Sequence, residues 1–321
     1  MGQSRGARRL RLVGTAALVV VALVACGRAG SDGGTTSAPS SAGRLVADVS
    51  YGPDPLQSLD LYLPVGDGPF PVVLYLHSGG WVAGSHQYIP DFLVEQVSRG
   101  IAVVSADYRL ASRNADGTPV DTFPSSDQDV DRAIRFVRAN AARWALDPDR
   151  IVVAGASAGG HLALLAAAAP GRYAAPDLPA ALAEVSPRVQ GVMAFVAPSD
   201  LVAFAQEDNE LAESSLAIFL ACPTGDAKSC NVGLAREASP ATHLDAAAPP
   251  AYFAYGSTDA IAPPITQGLP IALQWAAARN EALSTVPNAL VQFHVIAAGH
   301  NLELLGADYS TMEGWLDAVL G

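Results

Sequence analysis

One short segment of this 321-residue chain constrains its fold more than any other. The β-branched run IVVAG (151–155) ends in glycine, Ser157 follows within GASAG, and an alanine- and leucine-rich segment begins at once. A serine in G-x-S-x-G between a strand and a helix is typical of a nucleophile on a sharp, strained turn. Side chains two positions away would clash with the strand and the helix, which favours small residues there. The segment therefore predicts a strand, a catalytic turn and a helix over residues 151–169.

A serine nucleophile needs a histidine base and a carboxylate that orients the histidine. With a nucleophile of this type, the chain order is serine, then acid, then histidine. His300, in AAGHN just after the last predicted strand, fits the base. Two aspartates follow strands in the interval, Asp200 in APSDL and Asp259 in GSTDA. Each can serve as the acid or as a helix cap, so the residues alone leave both open.

A glycine-rich turn follows an earlier apolar strand and suits the stabilisation of an oxyanion. The segment HSGGW (77–81) offers glycines whose backbone N–H groups can approach a substrate closely. A simple glycine turn is the alternative interpretation, and the presence of Ser157 favours the catalytic one.

Apolar runs alternate with helical patterns along most of the chain. This alternation indicates right-handed βαβ crossovers and a doubly wound, mainly parallel sheet of the α/β class. Segments 45–51 and 56–64 alternate apolar and polar residues, so they predict an antiparallel N-terminal edge. The predicted strands are 70–77, 101–108, 151–155, 191–197, 251–256 and 291–297, and the predicted helices are 127–144, 159–169, 264–282 and 309–320.

The N-terminal segment has the features of an export signal. Four arginines precede the apolar run 12–25, which is too short for a spanning helix and stops before Cys26. The residues LVAC (23–26) resemble the lipobox of bacterial lipoproteins, which implies a lipid on Cys26. We therefore expect a signal peptide at 1–25, the lipidated cysteine with a flexible linker at 26–44, and a catalytic domain at 45–321. Lipidation predicts a protein anchored to the cell membrane outside the cytoplasm.

The charge of the chain argues against a nucleic-acid partner, and its cysteines favour a disulfide over a metal site. The formal net charge is −12 and the chain has a single lysine, Lys228, so a nucleic-acid partner is not expected. In an oxidising compartment Cys222 and Cys230 predict a disulfide, with two buried free thiols as the alternative. The cysteines lack C-x-x-C spacing and the histidines are scattered, so we expect no metal and no cofactor.

Seven ordered segments resemble the α/β-hydrolase fold, and within it the hormone-sensitive-lipase-like and BD-FAE-like (acetyl and feruloyl esterase) group. The resemblance implies that Ser157 is the nucleophile, Asp259 the acid and His300 the base. It also implies that Gly79, Gly80 and Ala158 donate the oxyanion-hole N–H groups. Two positions depart from the family pattern, since Ser78 replaces a glycine and Tyr255 a common histidine. The segments are HSGGW (77–81), DYRLA (107–111), LDPDRIVVAGASAGGHLA (146–163), PSDL (198–201), ASPATHLDAAAPP (238–250), GSTD (256–259) and GHN (299–301).

The resemblance implies a carboxylesterase that forms an acyl-enzyme from short-chain acyl esters, such as acetylated or feruloylated carbohydrates. A peptidase of the prolyl-oligopeptidase type and a catalytically silent binding protein are the alternatives. We expect pocket walls from Trp81, Tyr88 and a possible small cap insertion at 203–237.

Four further residues are interpreted as structural. The family resemblance implies that His77 and His161 orient loops by hydrogen bonding. We expect Asp107 and Arg109 to form an ion pair or to anchor a turn.

Overall fold

The computed structural model describes residues 43–207, 209–301 and 309–321, and in this part of the chain eight strands form one sheet. The strands are β1 (Arg44–Ser50), β2 (Ser58–Leu63), β3 (Phe70–Leu76), β4 (Ala102–Ala106), β7 (Leu146–Ala156), β8 (Gly191–Phe195), β9 (Ala251–Gly256) and β10 (Val291–Ile296), and the short strands β5 (Ser112–Arg113) and β6 (Pro119–Val120) form a separate hairpin. The helices are α1 (Asp91–Val94), α2 (Ser125–Ala139), α3 (Ala158–Ala168), α4 (Ala180–Ala183), α5 (Leu201–Phe204), α6 (Glu210–Phe219), α7 (Val232–Glu237), α8 (Leu269–Arg279) and α9 (Ser310–Leu320).

The strand order is β1-β2-β4-β3-β7-β8-β9-β10. Strand β2 pairs antiparallel with both β1 and β4, whereas the remaining pairs are parallel. This is the predicted doubly wound sheet with an antiparallel N-terminal edge, and it confirms the α/β-hydrolase fold.

The central strands are covered on both faces, as their dense apolar runs predict. In β3, Val72, Leu74 and Leu76 belong to one buried cluster, which also includes residues of α2, α3 and α8. Val73 and Tyr75 point to the other face and belong to a second cluster with residues of α1 and α9. The period-2 alternation of a strand thus divides one apolar segment between two cores.

Several element boundaries differ from the sequence prediction. The helix predicted over 127–144 ends at Ala139, and a separate 3-10 turn covers Ala141–Trp144. The segment predicted as one helix over 264–282 begins as a π-helical turn, Pro264–Gly268, and ends where Asn280 adopts a left-handed backbone with φ 55°. Strand β1 begins at Arg44, within the segment expected to be a linker.

The segment predicted as a cap insertion consists mainly of the short helices α5, α6 and α7. A disulfide joins Cys222 to Cys230 between α6 and α7, which confirms the predicted crosslink. The expected signal peptide and Cys26 lie outside the described residues. Among the helices that the structure describes, none is both long and apolar enough to cross a membrane.

A buried carboxyl group in α2 makes the stability of the fold dependent on pH. The Asp127 side chain is buried, and none of the ion pairs found among the described residues includes it. Burial raises the pKa of Asp127 to about 8, and the nearby Asp129 carboxylate adds to the rise. The folded protein therefore keeps a proton that the unfolded chain releases above about pH 4, so stability falls as pH rises towards 8.

We predict that Asp127→Asn stabilises the protein at high pH, because an amide of similar shape cannot ionise. The free energy of unfolding should increase by several kcal/mol at pH 8 and change little near pH 4. Urea unfolding at both pH values measures this, with the exposed Asp149→Asn as control. An equal effect of Asp127→Asn at the two pH values would contradict the prediction.

Candidate active site

Three polar side chains meet at the carboxyl edge of the sheet. Ser157 follows β7, Asp259 follows β9 and His300 follows β10. Parallel strands place their carboxyl ends at one edge of the sheet. His300 therefore meets Asp259, 41 positions before it, and Ser157, 143 positions before it.

The backbone at Ser157 is held in an unfavourable conformation. Its φ and ψ are 52° and −120°, a combination that costs roughly 1–3 kcal/mol in an ordinary residue. Its N–H donates to the carbonyl oxygen of Phe195 at 2.8 Å, and its own carbonyl oxygen accepts from the N–H of His161 at 2.9 Å. These two bonds fix the turn between β7 and α3.

The glycines on either side of the serine are required by close backbone contacts. A Cβ on Gly155 would lie 2.2 Å from the carbonyl oxygen of Gly159, and a Cβ on Gly159 would lie 2.1 Å from that of Leu76. The first contact joins the end of β7 to the start of α3, and the second brings α3 onto β3. Both agree with the clash that the sequence predicted.

A chain of hydrogen bonds links the three side chains. The Nε2 atom of His300 lies 2.9 Å from Ser157 Oγ, and its Nδ1 atom lies 2.8 Å from Asp259 Oδ2. Since an ionised carboxylate only accepts, Nδ1 carries the proton and Nε2 is free to accept the serine proton. The buried Asp259 also accepts through Oδ1 from the N–H groups of Ile261 and Ala262, at 2.8 and 2.9 Å.

Asp200, the other candidate acid, has a different position. Its Oδ1 accepts from the N–H groups of Val202 and Ala203, both at 3.0 Å, so it caps the N-terminus of α5. The structure thus places Asp259, and not Asp200, in hydrogen-bond contact with His300.

The HSGGW segment forms a tight turn beside these groups. Gly79 and Gly80 have φ values of 130° and 59°, and the carbonyl oxygen of Gly79 accepts from the N–H groups of Val82 and Ala83. Within the described part of the chain, the N–H groups of Gly79, Gly80 and Ala158 make no hydrogen bond to another backbone group. Such groups can donate to a ligand.

Trp81 does not form the pocket wall that the sequence predicted. Its indole is 2% exposed and stacks on Phe219 of α6, with 4.7 Å between ring centroids. Its Nε1–H donates to Nδ1 of the buried His161 at 3.2 Å. The indole is therefore a core side chain, and the prediction that it lines the pocket is wrong. Its contacts hold the glycine turn in place.

His161 connects helix α3 to two loops, in agreement with the role implied by the family resemblance. While Nδ1 accepts from Trp81, Nε2 lies 2.8 Å from the carbonyl oxygen of Ala238 and donates to it. Burial lowers the pKa of His161 to about 4, so the ring is neutral at pH 7 and can accept and donate at once.

The side chain of His77 has a similar anchoring position. Its Nδ1 donates to the carbonyl oxygen of Ser78 at 2.8 Å, and its ring stacks on Tyr108. Ser78, which departs from the family pattern, thus uses its backbone oxygen to fix the preceding histidine.

Asp107 and Arg109 do not pair with each other, which corrects one of the two expected roles. Arg109 forms an ion pair with the buried Asp129 at 2.7 Å. Asp107 faces His77 and His86 instead, with His86 Nδ1 2.7 Å from its Oδ2. Each residue is an anchor, but Arg109 is held by Asp129 of α2 and Asp107 by the histidines of the neighbouring loop.

Helix α6 supplies a neighbour of the glycine turn that the sequence did not identify. A Cβ on Gly80 would lie 2.8 Å from Ser215 Oγ, so the helix lies directly against the turn. No sequence signal could place Ser215 there, because the position of the insertion depends on tertiary packing. Tyr88, the other expected wall residue, is exposed, and its contact with substrate stays a prediction.

Comparison with known proteins gives a family and several relatives. The BD-FAE family matches residues 59–269. Esterase LipQ of Mycobacterium tuberculosis is 29% identical over 78% of this chain and 58% of its own. Carboxylesterase NlhH of the same species is 40% identical over 32% of this chain and 31% of its own. The chain therefore spans about half or less of the length of these relatives.

A solved structure supports the fold independently. A truncated carbohydrate esterase from gut microbiota superimposes with a TM-score of 0.69, at 21% identity, over 86% of this chain and 96% of that one. At this identity the likeness concerns the fold.

Proposed function

The chain belongs to the BD-FAE family, and from this premise we propose that it is a serine carboxylesterase that cleaves short-chain acyl esters. The observation that carries the proposal is the hydrogen-bonded chain Ser157–His300–Asp259. Ser157 is the nucleophile, His300 the general base and Asp259 the acid that orients the base.

Acylation begins when Ser157 Oγ attacks the carbonyl carbon of the ester. His300 Nε2 takes the serine proton as the new bond forms, and Nδ1–H stays bonded to Asp259. The buried carboxylate stabilises the imidazolium that results. His300 then gives the proton to the departing alcohol, which leaves an acyl group on Ser157.

The negative charge that develops on the carbonyl oxygen requires donors that are already in position. The proposed donors are the N–H groups of Gly79, Gly80 and Ala158; that none of them is bonded to backbone among the described residues supports this role. Ala158 is the first residue of α3, where the helix dipole also favours negative charge. A water molecule, activated by His300, repeats the sequence and releases the acid.

The proposed preference for short acyl groups follows from the family resemblance and from the position of α6. Because this helix lies against Gly80, it limits the space on one side of the proposed oxyanion site. Acetylated or feruloylated carbohydrates are the proposed class of natural substrate, and the carbohydrate esterase with a similar fold agrees with that choice.

A panel of p-nitrophenyl esters tests the activity and the acyl preference together. We predict that the acetate and butyrate esters are hydrolysed at least about tenfold faster than the palmitate ester. Ser157→Ala should lower kcat by roughly three to six orders of magnitude, as in other serine hydrolases, while the melting temperature changes little. Full activity of Ser157→Ala would exclude a serine mechanism, and a faster palmitate reaction would exclude the short-chain preference. Acetylated xylan and methyl ferulate then identify the favoured natural ester.

A matched pair of aspartate variants tests the acid. Asp259→Asn should lower kcat by about a thousandfold or more, because an amide donor at this place favours the wrong tautomer of His300. Asp200→Asn should cost about 1 kcal/mol of stability and only a few-fold in kcat, because Asp200 caps α5. Measurements of kcat and melting curves for both variants distinguish the two roles. The reverse pattern would assign the acid to Asp200.

We also propose that the protein is a lipoprotein anchored to the membrane through Cys26. The arginine-rich start, the short apolar run and the LVAC segment support this proposal. Cys26→Ser should move the protein from the membrane fraction to the soluble fraction and leave kcat of the purified protein unchanged, since the residue precedes the catalytic domain. Unchanged membrane association would refute the anchor.

A further inference from the structure

Three residues far apart in the sequence meet at the antiparallel edge of the sheet. Asp48 lies in β1, Asp60 lies in β2, and His86 lies in the loop between β3 and α1. One side-chain donor atom from each residue lies within 4.8 Å of the other two. The sequence predicted no metal site, because its cysteines lack C-x-x-C spacing and its histidines are scattered. Only the fold brings these three residues together.

The imidazole of His86 is buried and one of its nitrogens has no hydrogen bond. The residue is 5% exposed, and its Nδ1 lies 2.7 Å from Asp107 Oδ2, to which it donates. Its Nε2 has no hydrogen-bond partner and lies 3.4 Å from Asp60 Oδ1 and 3.8 Å from Asp48 Oδ1. With the proton on Nδ1, the Nε2 lone pair of a neutral ring points towards two carboxylate oxygens, which favours a cation between them.

The cluster also carries uncompensated negative charge. Asp60 and Asp107 are buried, whereas Asp48 is exposed. No ion pair in the described segments joins Asp48, Asp60 or Asp107 to an arginine or a lysine; the ion pairs found there for these acids involve histidines. Buried carboxylates without a cationic partner are costly, so this site favours a bound cation.

We propose that Asp48, Asp60 and His86 bind a divalent cation of the zinc type. Zinc binds imidazole nitrogen and carboxylate oxygen at about 2.0–2.2 Å, which places two ligand atoms of a tetrahedral site about 3.3–3.6 Å apart. The 3.4 Å separation of His86 Nε2 and Asp60 Oδ1 falls in that range, and the 3.8 Å separation from Asp48 needs only a small movement of an exposed side chain. The imidazole ligand favours zinc over calcium or magnesium.

Asp107 fixes the orientation of the histidine ligand. It accepts from His86 through both the backbone N–H and Nδ1–H, and a carboxylate behind a ligating histidine sets the tautomer and makes the ring a better ligand. Ser105 Oγ–H also donates to the carbonyl oxygen of His86 at 2.6 Å. The cation therefore holds the loop of His86 against β1 and β2, and its role is structural.

Zinc binding by the full-length protein tests the proposal. The protein is treated with a chelator, equilibrated with zinc chloride, separated from free zinc and analysed for metal by mass spectrometry. We expect about one zinc per chain and, at a zinc concentration about 100 times Kd, a rise in Tm of roughly 5 °C. His86→Gln should abolish binding, and Asp48→Asn should raise Kd at least tenfold.

Three controls make the result decisive. Asp48→Asn alters an exposed side chain, so it tests the site even if His86→Gln does not fold. Asp67→Asn, at another exposed position, should bind zinc as the original protein does. His300→Ala should also keep its zinc, which separates this site from metal bound at the candidate active site. The proposal is overturned if no zinc binds, if His86→Gln or Asp48→Asn binds it unchanged, or if His300→Ala loses it.

Discussion

The close contact between helix α3 and strand β3 is the constraint on which the rest of the site depends. With 2.1 Å between a Cβ position on Gly159 and the carbonyl oxygen of Leu76, the helix can begin there only if residue 159 has no side chain. The helix starts immediately after β7, and the single residue left for the turn, Ser157, takes a strained backbone. That strain is balanced by the packing of the buried helix α3 within one cluster of the core, not by any bond of the serine side chain.

The same contact brings two loops together, and His161 fixes them. As the fourth residue of α3, His161 lies directly behind the serine turn, where it accepts from Trp81 and donates to Ala238. A neutral imidazole is the side chain that can accept at one edge and donate at the other within a buried space. The His161 ring thus positions the glycine turn before Trp81 relative to Ser157. Because both ring nitrogens are hydrogen-bonded, this polar side chain is tolerated in the core.

The sequence predicted those features that follow from local chemistry. A strained serine turn needs glycines and a strand–turn–helix context, so the segment 151–169 was identified without knowledge of the fold. The partners His300 and Asp259 were found because parallel strands share one edge, although only the family resemblance favoured Asp259 over Asp200. Side-chain direction was less predictable. Trp81 follows two glycines and was expected to line the pocket, but its indole packs on Phe219, from a segment 138 residues away, and is buried.

Asp107 illustrates the kind of information that a sequence does not carry. Its carboxylate faces His77 on one side, at 3.5 Å, and His86 on the other, and His77 directly precedes the glycine turn. The N-terminal edge of the sheet is therefore connected to the proposed oxyanion loop by two histidines and one carboxylate. His86 lies between Asp107 and the carboxylates of Asp48 and Asp60. A cation bound by Asp48, Asp60 and His86 would partly neutralise the negative charge of these three carboxylates. Because its ligands lie beyond Asp107 from the turn, such a cation would stabilise the loop without contact with the reacting groups.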